Sequence, residues 1–187
     1  MRTRLLLLTM LICGVAFAQQ NAQSASDNSS SASVQSGASQ SDGAQALSKQ
    51  ELSQLVPQNY FFAGQTATSQ TRNSGGVRFA DKKIVLLALV DNSGYSSGVQ
   101  QKYQGLLITE VPLKVGDKTV PAGSYGFGMP SADQFVVLDI NANEIASGQA
   151  TTDSNMKRPV PLRVASSGDT VTVSMGRKTF SLSRASQ

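Results

Sequence analysis

Apolar and polar positions change their rhythm twice along this chain of 187 residues. Leu5–Val15 is an almost unbroken apolar run. A long polar stretch follows, and order is expected to begin near Leu47. Ser48 and Glu51 have the Ser-x-x-Glu spacing of a capping box. Leu47, Leu52, Leu55 and Val56 form a short stripe that Pro57 stops, so the pattern predicts one helix over 48–56. From about residue 64 the period becomes two. Tyr125, Phe127 and Met129 alternate with Ser124, Gly126 and Gly128, and Val136, Leu138 and Ile140 with Val137 and Asp139. The same alternation recurs in Val160–Val164, Val171–Met175 and Phe180–Leu182, as in strands with one buried face. Ile84–Val90 is apolar at every position, which predicts a central strand covered on both faces. Only Val99–Gln104 suggests a further helical turn.

Turn residues separate these segments: Gly116-Asp117, Pro121-Ala122-Gly123, Pro130–Asp133, Asn141–Asn143, Ser166–Asp169 and Gly176. Each either tolerates positive φ or presets φ. Strands of about six residues between such turns predict an all-β fold, a single antiparallel β-sandwich or small barrel with one short N-terminal helix. The domain expected is 47–187, long enough for a core without disulfides.

The first eighteen residues read as a secretory signal peptide. Arg2 and Arg4 precede the apolar run, and Ala16-Phe17-Ala18 presents small side chains before Gln19, so cleavage is expected between Ala18 and Gln19. The run is shorter than the about 20 residues a membrane-spanning helix needs. Ile12 before Cys13 does not suit lipidation. The expected location is therefore secreted or periplasmic, with no stable membrane anchor after cleavage. Residues 19–46 contain nine Ser, six Gln and six Ala. So little apolar surface predicts disorder, as a spacer or as an unconstrained tail.

Composition then excludes chemistry. Cleavage would remove the single Cys and two of 16 basic residues, leaving 14 against 12 acidic, a net of +2 instead of +4. No basic cluster is longer than a pair such as Lys82-Lys83 or Lys157-Arg158, so nucleic acid is not an expected partner. The mature chain would hold no His, Cys or Trp, which removes Ser-His-Asp and Cys-His catalysis and imidazole or thiolate metal sites. No cofactor is expected. Asp91, Asp117, Asp133, Asp139, Asp153 and Asp169 fall at expected loops or strand ends, where Asp caps backbone donors. Asp139-Ile140-Asn141-Ala142-Asn143 begins like a calcium loop but has Glu144 where Gly is required and Ala150 where Glu is required, so a hairpin turn fits better. Ser154-Asn155-Met156-Lys157 matches Ser-x-x-Lys without its companion motifs.

Candidate binding residues are few. Tyr60-Phe61-Phe62 is either a stacking platform or core that docks the helix. Thr71–Arg78 and Asp91–Tyr95 read as polar, glycine-bearing loops, with Arg72, Arg78 and Tyr95 as possible ligand contacts. The turn-and-strand segment Val115-Gly116-Asp117-Lys118-Thr119-Val120-Pro121-Ala122-Gly123-Ser124-Tyr125-Gly126-Phe127 resembles a Gly-Lys-x-Leu-Pro-Ala-Gly-x-Tyr element of a family of small secreted bacterial β-proteins whose activity is uncharacterised. Asn59–Tyr103 and Lys157–Leu162 carry the same resemblance, which implies the fold and transfers no catalytic residue. The leading expectation is an exported, non-enzymatic binding or structural domain of the bacterial cell envelope, with an envelope protein or glycan as partner. A carbohydrate- or murein-binding module would need at least two of Tyr60, Phe61, Phe62 and Tyr95 exposed side by side. A carboxylate- or Lys-based enzyme would need two ionisable groups converging in a pocket.

Overall fold

The computed structural model describes residues 43–186. The expected signal peptide and most of the segment expected to be disordered lie outside the described residues. Fourteen strands and two helices follow in order: β1 (Gln45–Ala46), α1 (Lys49–Leu55), β2 (Asn59–Phe62), β3 (Gln65–Arg78), β4 (Ile84–Asp91), α2 (Ser97–Lys102), β5 (Gly105–Thr109), β6 (Leu113–Val115), β7 (Lys118–Val120), β8 (Gly123–Gly128), β9 (Gln134–Leu138), β10 (Glu144–Gln149), β11 (Thr151–Thr152), β12 (Val160–Ser167), β13 (Thr170–Gly176) and β14 (Lys178–Arg184). They build an all-β sandwich. One sheet runs β1-β3-β4-β5-β8-β9-β10, with β2 attached to β3. The other runs β12-β13-β14-β6-β7, with β11 attached to β14. Neighbours are antiparallel throughout.

The core between the sheets is made by alternate side chains. Val85 and Leu87 of β4, Leu107 of β5, Phe127 of β8, and Phe135 and Val137 of β9 face Val171 and Val173 of β13 and Phe180 and Leu182 of β14. Phe135 and Phe180 stack at 3.6 Å between ring centroids. The outward positions of β13 and β14 are Thr and Ser, buried at Ser174 and partly or fully exposed at the others, the period-two pattern of a sheet with one wetter face.

The first sheet has no wet face over its centre. Ile84, Leu86, Ala88 and Val90 of β4, Leu106 of β5, and Val136 and Leu138 of β9 form a second core with Leu52 and Val56, Phe62 and Tyr103. The helix α1, β2 and the Tyr95–Tyr103 segment that carries α2 supply the covering layer. This is why Ile84–Val90 is apolar at every position: β4 is central and covered twice, as expected. It also corrects the alternation read in β8 and β9. Gly126 and Gly128 are buried as well as Phe127, Val136 and Val137 are both buried, and Ile140 is 47% exposed in a turn. A methyl group on Gly126 would lie 2.5 Å from Phe62 Cε2, so glycine there admits the covering aromatic layer.

Local signals resolve as their chemistry dictates. The Ser48 hydroxyl accepts from Glu51 N–H at 3.2 Å and Glu51 Oε2 accepts from Ser48 N–H at 2.9 Å, a complete capping box. Ala63 and Gly64, both at positive φ, close a two-residue β2–β3 turn. Asp139 accepts from the N–H groups of Asn141 and Asn143 at 2.8 and 2.9 Å, confirming a hairpin turn at the calcium-like motif.

Two boundaries differ from expectation. Strand order starts before Leu47, because Gln45–Ala46 pair with Val77–Arg78 and Ser166 Oγ donates to the Ala44 carbonyl at 2.6 Å. This short segment joins β3 of one sheet to β12 of the other. Thr71–Arg78 is strand and not loop. Its glycines mark close approach: a methyl on Gly75 would sit 2.8 Å from Val164 Cγ2, and one on Gly76 would sit 2.7 Å from the Val85 carbonyl oxygen. The polar character comes from a bulge. Gln70 pairs with Leu89 and Ser74 with Ala88, so Thr71, Arg72 and Asn73 are inserted between them.

Candidate functional site

The residues singled out from sequence take up separate tasks. Phe62 is fully buried and stacks on Tyr103 at 3.8 Å between centroids, with Tyr95 edge-on to Tyr103 at 5.3 Å. The Tyr95 hydroxyl donates to the Gln65 carbonyl at 3.2 Å. Tyr60 is half-buried on the same cluster, 6.3 Å from Phe62. Only Phe61 points out, 56% exposed. The stacking platform that required two exposed aromatics side by side is therefore not formed; the cluster fastens the β2–β3 hairpin to the sheet. Arg78 forms an ion pair with Glu51 of α1 at 2.6 Å. Arg72 is exposed on the bulge. The structure does not gather Arg72, Arg78 and Tyr95 into a ligand-facing end.

Burial changes the tyrosines' acidity. Loss of water pushes the Tyr60 phenol up to about 12, with the nearby Tyr125 adding to it. The same cause raises Tyr103 further, and raises Tyr95 and Tyr125. The Tyr60 and Tyr103 hydroxyls are buried without a hydrogen-bond partner among the described residues. Such phenols stay neutral and carry no nucleophilic or basic chemistry at ordinary pH.

The carboxylates serve turns and ion pairs. Asp139 is held below the usual carboxylate range by Asn143, Asp91 by Ser93, and Asp81 by Arg184. Glu51 is lowered to about 2, chiefly by the Ser48 N–H and hydroxyl and then by Arg78. Asp117, in the β6–β7 turn, and Asp133, before β9, line one open groove of about 480 Å³ with Ser147 and Gln149. Both are exposed, and the Asp133 carboxylate accepts from Ser131 Oγ at 2.9 Å. Among the described residues no group of three acidic, His or Cys side chains is placed to hold a metal ion. No helix among them is long and apolar enough to cross a membrane.

The recess with the most distinctive chemistry lies elsewhere, where the two sheets part at one end of the sandwich. It is a shallow, open depression of about 420 Å³. Leu89 and Val90 at the end of β4 and Met129 after β8 form its first-sheet wall. Pro161 of β12, Met175 and Gly176 of β13, and Lys178 of β14 form the opposite one. Met129 belongs to the core between the sheets, and Leu89 and Met175 pack against it, so the cleft opens onto that core. Three carboxamides complete the lining, and each is fixed by the backbone or a neighbour. Gln104 Oε1 accepts from Met129 N–H at 3.0 Å. Gln70 Nε2 donates to the Val90 carbonyl at 3.3 Å, and its Oε1 accepts from Asn73 Nδ2 at 2.6 Å. Asn92 Nδ2 donates to the carbonyls of Gln100 and Tyr103. These bonds stiffen the rim where the β ladder runs out.

Sequence reasoning missed this cleft. Its lining comes from segments more than a hundred residues apart, none of which forms a motif. The one available pointer was the polar stretch beginning at Thr71, which is the bulge beside Gln70. Bulges of this kind accompany functional sites. No protein-family model, curated protein or solved structure matches the chain.

Proposed function

We propose that this protein is an exported, non-enzymatic binding domain of the bacterial cell envelope. One observation carries the binding part of the reading. The cleft at the end of the sandwich is walled by thioether and aliphatic side chains, edged by fixed carboxamides, and contains a single ammonium group. That set holds a ligand by contact, hydrogen bonding and charge, and offers no pair of groups for proton transfer. Export rests on the leader: Arg2 and Arg4, the apolar run Leu5–Val15, and Ala18-Gln19 as the cleavage point. The resemblance of Val115–Phe127 to small secreted bacterial β-proteins agrees with it.

The groove between Asp117 and Asp133 is the one feature that favours a carboxylate-based enzyme instead. Both readings meet in one experiment. The chain is expressed with its leader, the secreted or periplasmic product is recovered, and its N-terminus is determined. It is then tested by thermal shift against envelope-derived ligands, including glycans, murein fragments, lipids and peptides. The proposal expects an N-terminus at Gln19 and a rise in melting temperature with a ligand that is recovered unchanged. Retention in the cytoplasm refutes export. Conversion of a ligand, abolished by Asp117→Asn or Asp133→Asn, refutes the non-enzymatic reading.

A further inference from the structure

We propose that the cleft at the open end of the sandwich binds a small monocarboxylate with an apolar body. This deepens the binding reading above and rests on it. Lys178 is the only charged side chain in the lining. Its Nζ donates to the Ser131 carbonyl at 2.9 Å, which holds the ammonium in place and leaves two of its three N–H donors for another acceptor. Among the described residues no carboxylate lies within ion-pair distance of it; the ion pairs there are Arg78–Glu51 and Arg184–Asp81. Asp133 shares Ser131 with it without reaching ion-pair contact, so the positive charge at this rim still favours an anion.

The rest of the wall selects the ligand's other end. Leu89, Pro161 and Met175 contribute aliphatic and thioether surface to the depression, with the buried Met129 beneath them, among polar groups of the rim. Methionine adapts to irregular chains through its rotatable bonds and polarisable sulfur. The neighbouring carboxamides of Gln104 and Gln70 are already bonded to the wall, so they shape the rim and leave the ammonium as the strongest free donor. A volume of about 420 Å³ falls within the range of small-molecule sites. The carboxylate sits on Lys178 Nζ at the rim and the apolar body lies across Leu89 and Met175, over Met129.

Octanoate is a direct probe, with octanol and acetate as controls for the charge and the tail. Calorimetry on the mature chain is expected to show saturable octanoate binding, with octanol and acetate each weaker by at least about tenfold. Lys178→Gln is expected to weaken octanoate by about tenfold or more while leaving octanol unchanged, and Lys178→Arg to retain it. Met175→Asp, which places a like charge beside the carboxylate, is expected to abolish binding, with circular dichroism verifying the fold of each variant. Octanoate binding that ignores Lys178→Gln, or equals that of octanol, overturns the inference. So does a lack of octanoate binding by folded protein. If another ligand class then binds, the general binding reading survives; if the whole ligand panel is silent, both fall.

Discussion

Replacing Gly126 with alanine puts a methyl group where the covering aromatic layer meets the sheet. The added Cβ would lie 2.5 Å from Phe62 Cε2, 2.7 Å from Cζ and 3.1 Å from Tyr103 Cδ2. Ordinary contact begins at 3.4 Å, so the Phe62 ring must retreat by about 0.9 Å, the difference between 3.4 and 2.5 Å. It has little room, because it already stacks on Tyr103 at 3.8 Å and is fully buried. Overpacking of this kind costs about 1–3 kcal/mol. Removing a glycine from a strand returns about 0.5–1 kcal/mol through reduced chain entropy. Gly126→Ala should therefore lower stability by about 1–2 kcal/mol in urea unfolding followed by circular dichroism. Shrinking the ring should relieve the clash, so Gly126→Ala with Phe62→Leu should cost at least about 1 kcal/mol less than the two changes added. A neutral or stabilising Gly126→Ala, or strict additivity, would refute the three-layer packing at this point.

Other consequences follow from single groups. The Tyr103 hydroxyl is buried without a partner, so Tyr103→Phe should raise stability by about 1 kcal/mol; a loss would reveal a hydrogen bond at that oxygen. Ala63 holds φ at +47°, so Ala63→Gly should raise the urea midpoint by an amount worth about 0.5–1 kcal/mol, and a fall would contradict the turn geometry. The folded-state pKa of Glu51 is depressed from 4.5 to about 2, so its stabilisation is present above 4.5 and fades as pH falls towards 2. Urea midpoints measured across that interval should fall more steeply for the native protein than for Glu51→Gln, and parallel curves would contradict the capping and ion-pair network.

Much of this fold could be read from local chemistry. The Ser48–Glu51 box, the doubly apolar β4 and the Asn-rich turn after Asp139 each depend on residues close in sequence. The covering layer was harder to read. Gly126 and Gly128 alternate with Tyr125, Phe127 and Met129 and so look like wet-face positions, yet they are bare because the Phe62 ring and the Lys102 backbone press on them. Gly75 and Gly76 misled in the same way: a glycine pair suggests a loop, and here it marks strands meeting closely. The aromatic cluster was expected either as a platform or as core. Tyr60 and Phe62 chose the core, while Phe61, between them, points outward as strand alternation requires. The cleft was invisible because Gln70, Gln104, Met129, Met175 and Lys178 converge only through long-range pairing. No spacing between them encodes the recess.

The binding claim has a compact spectroscopic test. Of the five methionines, Met129, Met156 and Met175 lie beyond the expected cleavage point, and Met129 and Met175 line the cleft while Met156 does not. Titrating octanoate into the mature protein carrying ¹³C-labelled methionine methyls gives three reporters, one an internal control. The account predicts saturable shifts of Met129 and Met175, a stationary Met156, and loss of the response in Lys178→Gln. Static signals throughout, or equal movement of all three, would contradict it.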